Sequence, residues 1–117
     1  VNATLSIDNY LSEMYLVAKE CFRVVKPGKH CSILIGDTRK HRHYVPISHN
    51  VLHIFLNAGF ILKEDIIKVQ HKTKQTREVW GGSYYDFYKI AHEHLYVFRK
   101  PSRNEKIQQY KHSKNLF

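Results

Sequence analysis

The residues Asp37-Thr38-Arg39-Lys40-His41-Arg42-His43 are the densest run of polar chemistry in this sequence. Arg39, Lys40 and Arg42 suit phosphate oxygens, and Thr38 can add a hydroxyl hydrogen bond. The same residues would serve equally as a solvated surface loop, with Asp37 capping its turn. A second polar stretch carries Lys72, Lys74, Arg77 and Trp80. Basic side chains interleaved with an aromatic suit phosphate contact plus base stacking. The structural alternative has Trp80 packed onto the body of the protein and the lysines solvated.

Nine histidines raise the question of a metal. His41/His43 and His92/His94 are each separated by one residue, and on a strand such a pair shares a face. Zinc sites usually add cysteines or a third nearby ligand at set spacing. Cys31 beside His30 is a poor substitute, so no metal site is expected. Cys21 falls in an apolar helical pattern and Cys31 at the start of a strand pattern. Both read as small core residues rather than nucleophiles. Two cysteines with no CxxC spacing fit an intracellular protein better than a secreted disulfide scaffold.

The elements that position these groups follow from hydrophobic spacing. Leu11, Met14, Tyr15, Ala18, Cys21, Phe22 and Val25 recur at three- and four-residue intervals, predicting a helix from Asp8 as cap to about Val25. Residues 1–7 predict no element. Lys26-Pro27-Gly28-Lys29 stops the helix. Ser32–Gly36, with the unbroken run Ile33 to Ile35, predicts a strand buried on both faces, hence a parallel sheet. Pro46 opens a second helix that ends near Ala58, with Gly59 beyond it. Phe60–Val69, which Lys63-Glu64-Asp65 could bulge or break, and Glu93–Arg99 predict two more strands, separated by a long polar loop, His71–Tyr88. The order gives an α/β fold. The last two strands can pair antiparallel.

Length and charge bound the rest. The 117 residues suit one small domain, and 43% apolar content permits a core. Lys and Arg outnumber Asp and Glu by 19 to 10, for a pI near 9.6. A polyanion is a reasonable partner, and a basic domain without one is the alternative. No apolar run approaches the roughly 20 residues of a membrane span. The expectation is a cytoplasmic protein without a membrane partner. Because the chain starts at Val1 rather than Met, a fragment or processed product is expected.

AKECFRVVKPGKHCSILIGDTRKHRHYVPIS, LNAGFILKEDIIKVQHKTKQTRE and FYKIAHEHLYVFRKP together resemble the C-terminal part of bacterial and phage-type DNA amino-methyltransferases. These are the adenine-N6 or cytosine-N4 modification methylases. The resemblance covers Asp8 to Pro101. It implies a partial Rossmann-like methyltransferase sheet, made of the later strands, parallel with an antiparallel edge strand. Ser32–Gly36 would be its fifth strand, and Phe60–Val69 with Glu93–Arg99 the edge pair. Residues 1–101 would then be the C-terminal half of a methyltransferase domain and 102–117 a polar tail.

The family holds S-adenosylmethionine on a glycine-rich loop and grips a flipped base with a Pro-Pro-Tyr segment. Pro27, Pro46 and Pro101 are isolated, and the one glycine pair, Gly81-Gly82, lies in the long loop. The resemblance therefore implies an S-adenosylmethionine-dependent enzyme whose catalytic and cofactor residues lie upstream, in a missing N-terminal half. This chain alone is expected neither to bind the cofactor nor to be active. It would supply scaffold and DNA-contact loops, at Asp37–Tyr44 and His71–Trp80. A non-catalytic nucleic-acid-binding domain, a methylase remnant and an RNA methyltransferase fragment are the alternatives. The strand Ser32–Gly36 would lack its usual neighbour, and an exposed apolar edge favours a homodimer.

Overall fold

A computed structural model describes residues 3–70 and 87–115. The elements are α1 (Ala3–Val24), β1 (His30–Gly36), β2 (Thr38–Lys40), β3 (His43–Val45), α2 (Ile47–Ala58), β4 (Ile61–Val69), β5 (His92–Arg99) and a short 3-10 segment (Ile107–Ser113). The first helix starts earlier than expected. Asp8 lies inside it, because the residues before Asp8 contain neither proline nor glycine to interrupt the turn. The Lys100 ammonium donates to the Phe22 carbonyl at 2.6 Å, satisfying a backbone acceptor near the helix end. The turn after α1 is stitched to the end of β5, with Gly28 N donating to Lys100 O at 2.8 Å and Lys100 N to Lys29 O at 2.9 Å.

Helix α2 has the boundaries its sequence signals. Pro46 stands at its N-terminus, and Gly59, at φ 124°, turns the chain out. Gly59 is also a close-approach position. A Cβ there would lie 2.7 Å from the Phe22 ring.

The sheet corrects the expected strand arrangement. Its order is β1-β5-β4, and both pairings are antiparallel. No parallel pair exists among the described strands. Strands β1 and β4 run in the same direction, and β5 lies between them rather than at the edge, so it must oppose both. The expectation fails because an apolar run reports burial, not the direction of the neighbouring strand. The antiparallel pairing of the last two strands is as expected. One irregularity interrupts it, a bulge between Leu62 and Glu64.

Both helices cover one face of this sheet. Ile35, Tyr96 and Phe98 meet Val51, Leu52, Phe55 and Leu56 of α2, with Met14 and Ala18 of α1 closing the cluster. The Phe55 and Phe98 rings stack at 4.9 Å, and Phe60 lies within 6 Å of both. Burying each such ring contributes roughly 1.5–3 kcal/mol. On the opposite face, Leu34, Leu95 and Ile66 stand in one row across the three strands. Leu34 is 44% exposed and Ile66 47%. The expected burial of β1 on both faces therefore does not hold among the described residues. β1 has no neighbour on its outer edge among them either.

The polar tail docks back onto the fold. Arg99 donates to both oxygens of Glu105 at 2.9 and 2.8 Å and lies 5.4 Å from the Tyr110 ring. The Arg99 guanidinium first, and the Ser102 backbone second, hold the Glu105 carboxyl down at about 2. Lys114 Nζ donates to Leu56 O near the end of α2 at 3.4 Å. No helix among the described residues is long and apolar enough to cross a membrane.

Candidate nucleic-acid interface

The run after β1 is a hairpin rather than an open loop. Thr38 pairs with Val45, Arg39 with Tyr44 and Lys40 with His43. His41 and Arg42 form its two-residue turn, with φ of 52° and 66°. Positive φ at both central positions is the geometry that matches strand twist in tight hairpins. Without glycine it costs about 1–2 kcal/mol per residue. The His43 Nδ1–H donates to the His41 carbonyl at 2.8 Å. Lys40, His41, Arg42 and His43 are thereby carried on the hairpin tip, with His41, Arg42 and His43 exposed.

Asp37 is the root of this hairpin. Its carboxylate accepts hydrogen bonds from the Tyr44 hydroxyl, from Ser48 N at 2.6 Å and from Ser48 Oγ at 3.0 Å. Ser48 lies in the first turn of α2, and Pro46 provides no side-chain cap there. Asp37 does that work from a distance in sequence. It satisfies an otherwise unpaired N–H and places a negative group at a helix N-terminus. Burial first, and the Asp37 contact second, push the Tyr44 phenol up to about 12. Spacing alone points to Asp37 only as a turn cap. Its partners lie 7 and 11 residues away and become visible only once the hairpin is folded.

The structure separates the sequence-predicted contact residues. Arg39 is half-buried and committed internally. Its Nη2 donates to the Tyr88 carbonyl at 2.5 Å, and its guanidinium lies 4.4 Å from the Phe87 ring centre. It straps the hairpin to the segment leading into β5. Thr38 is exposed beside it, and Lys40 and Arg42 lie farther out along the hairpin. Lys72, Lys74, Arg77 and Trp80 lie outside the described residues. Between the hairpin and β5 lies a cavity of about 380 Å³ lined by Asp37, Arg39, Gln70, Phe87, His92 and Glu93. Gln70 Nε2 donates to Glu93 Oε1 across it at 2.9 Å.

Behind the hairpin root, His92 and His94 share the helix-covered face of β5. The His94 ring stacks on Tyr96 at 5.3 Å, and its Nδ1–H donates to Asp65 Oδ1 of β4 at 2.8 Å. Asp65 is not legible as a site residue from sequence, because the bulge in β4 decides which face it takes. The cysteines keep their packing role. Burial, with Cys21 as neighbour, pushes the Cys31 thiol up to about 11, far from a reactive thiolate at neutral pH.

Each of the three described glycines is met by a neighbouring side chain. Gly28 and Gly59 have the positive φ that lets backbone approach a ligand, but they face Ser102 and the Phe22 ring. Gly36 faces Glu93, a carboxylate.

The model of a DNA methylase family matches residues 1–116. The Type II beta methyltransferase M.BslI of Bacillus sp. (strain NEB-606) is 28% identical over 104 residues, a match covering 78% of this chain and 11% of that protein. TTHA0409 of Thermus thermophilus, a protein assigned as a DNA modification methylase, superimposes with a TM-score of 0.66 at 25% identity. That match covers 91% of this chain and 44% of TTHA0409. A structure of TTHA0409 complexed with S-adenosyl-L-methionine matches with a TM-score of 0.64 at 24% identity, over 87% of this chain and 42% of that one. The chain thus spans under half the length of the solved relative and about a tenth of the curated one.

Proposed function

The chain belongs to the DNA methylase family, and from that membership we propose that it is one part of an S-adenosylmethionine-dependent enzyme that methylates an exocyclic amino group in DNA, adenine N6 or cytosine N4. This part supplies scaffold and DNA contacts. In this reading the cofactor and the base-gripping residues belong to the complementary part of the sheet, since this sequence contains neither the glycine-rich loop nor the Pro-Pro-Tyr segment. The observation that carries this reading is the family match over nearly the whole chain. The uncovered row Leu34–Leu95–Ile66 and the open edge of β1 support it. A sheet with one apolar face and one edge in water is an incomplete layer. In the absence of the complementary part, a second copy of the chain would cover the same surface, giving a homodimer.

On the DNA side, Lys40 and Arg42 with Thr38 are the phosphate contacts, joined by Lys72, Lys74, Arg77 and the stacking residue Trp80. Arg39 acts by holding the hairpin. An enzyme that works on a base must extrude it from the duplex, and basic hairpins grip the distorted backbone. Lys40→Ala with Arg42→Ala should weaken DNA binding across all sequences and reduce the salt slope by about 1 per lost phosphate contact.

The decisive experiment isolates the native polypeptide from its source cells with an antibody against this domain. Its mass should lie well above 13.9 kDa. Incubated with DNA and isotopically labelled S-adenosylmethionine, it should place label on N6-methyladenine or N4-methylcytosine, resolved by nucleoside mass spectrometry. A native polypeptide that yields no labelled base would sink the proposal, and a native mass near 13.9 kDa with salt-sensitive DNA binding alone would establish a non-catalytic binding module.

A further inference from the structure

We propose that Asp37, His92 and His94 form a binding site for a divalent transition-metal ion of the zinc type. Among the described residues these three are the group whose donor atoms converge, all lying within 4.8 Å of one another. They come from two elements far apart in sequence. Asp37 follows the last residue of β1, while His92 and His94 are alternate residues of β5, and the register Gly36↔Glu93 brings the two strand ends together. The spacing of the two histidines supplies a pair of ligands on one face. The fold adds the third.

Metal–nitrogen bonds of about 2.0–2.1 Å and metal–carboxylate bonds of about 2.0–2.2 Å put donors roughly 3–3.5 Å apart in a tetrahedral site. Side-chain torsions must therefore draw the three together modestly. None of the three is fully buried, so there is room to do so. Two features show preorganisation. The His94 Nδ1–H is already donated to Asp65, which fixes the ring and leaves Nε2 as the ligand atom. This is the carboxylate–histidine arrangement that orients metal-bound imidazoles. Asp37 accepts three hydrogen bonds, from Tyr44 and Ser48. A carboxylate has about four acceptor positions, so one remains for an ion.

Two imidazoles and one carboxylate favour zinc, cobalt or nickel over calcium or magnesium, which prefer all-oxygen shells. The described residues supply three ligands, which leaves a position for water. A bound ion would tie the start of β5 to the root of the hairpin. The segment before β5 carries the Tyr88 carbonyl that Arg39 holds. The ion would therefore stiffen the hairpin from behind.

A second histidine pair sets the control. His49 and His53 are one helical turn apart on α2, with their Nε2 atoms 3.3 Å apart. The test titrates the 117-residue chain with Co²⁺, read by visible absorption, and with Zn²⁺, read by calorimetry and thermal melting. One ion per chain is expected, with a raised melting midpoint. His92→Gln and His94→Gln should each weaken binding at least tenfold. Asp65→Asn should weaken it by about tenfold through the loss of orientation. His49→Gln should leave it unchanged. Because Asp37 also caps α2, its own variant confounds folding with binding, and His92→Gln carries the test. Three results would overturn the proposal: no binding and no melting shift at saturating metal, binding lost in His49→Gln but kept in His92→Gln, or an intense thiolate band that assigns the ion to Cys21 and Cys31.

Discussion

The two faces of the three-stranded sheet are built from the same strands and have opposite fates. On one face, Phe98, Tyr96 and Ile35 lie under two helices, with aromatic rings in contact and a polar cluster completing the end. On the other, Leu34, Leu95 and Ile66 form a row with nothing above it among the described residues. The covered face holds the buried core of the described residues. The bare face carries an apolar row flanked on the same side by charged residues such as Glu64, Lys68 and Glu93. Two such faces on one sheet mean that stability and assembly can be perturbed separately.

The largest separation should come from truncating the covered face. Phe98→Ala should cost about 3–5 kcal/mol in urea unfolding, with the cavity between Phe55 and Phe60 left unfilled. A loss below about 1 kcal/mol would mean that the aromatic cluster is not the centre of stability. Asp37→Ala should follow, at about 1–3 kcal/mol, since it leaves the Ser48 N–H unpaired at the start of α2. Hydrogen exchange should speed up across β2, β3 and the first turn of α2, and unchanged exchange there would refute the capping role.

A smaller effect is expected where the tail meets β5. Glu105 is held at about 2 against its ordinary 4.5, so its contribution is present above about pH 4.5 and is lost as pH falls toward 2. Docking of Ile107–Ser113 should loosen across that window, read by exchange at those amides. Arg99→Gln should remove most of the pH dependence, leaving the smaller part that the Ser102 N–H supplies. The smallest effect on stability belongs to the bare face. Leu34→Ser should change unfolding free energy by no more than about 0.5 kcal/mol. It should, however, shift the chain from dimer toward monomer in light scattering of a concentrated sample. A chain that is monomeric before the substitution would count against a sticky face.

What is legible in the sequence follows from how local each signal is. Helix α2 is readable because Pro46 and Gly59 act on their immediate neighbours. Most core positions of α1 are readable by period, though Tyr15 of that set is 44% exposed; its start is not readable, because no residue in 1–7 breaks a helix. Strand direction is not readable. The antiparallel placement of β5 between β1 and β4 depends on pairings up to about seventy residues apart. The β2–β3 hairpin escapes notice because His41-Arg42 lacks the glycine or asparagine that marks such turns. The concentration of charge in the basic run is legible from residue type. The commitment of Arg39 to Tyr88 and Phe87 is not, since those partners lie on another element.

The extra residue in β4 near Lys63 has an evolutionary meaning. Side chains on a strand alternate, so a single-residue length change in a regular strand exchanges everything beyond it between the two sides. Continued without the irregularity, the register would set Ile66 opposite His94 and turn Asp65 away from it. Ile67 would move from the helix side to the open side. A lineage that lost this codon would restore a regular ladder, with Leu62 followed directly by Glu64, and would keep every later pairing, Asp65 with Tyr96 and Ile67 with His94 included. An insertion in the regular part of β4 has no such slack and would turn the carboxylate that orients His94 to the other face. The bulge is thus a place where the strand can lose a residue without changing what either face presents.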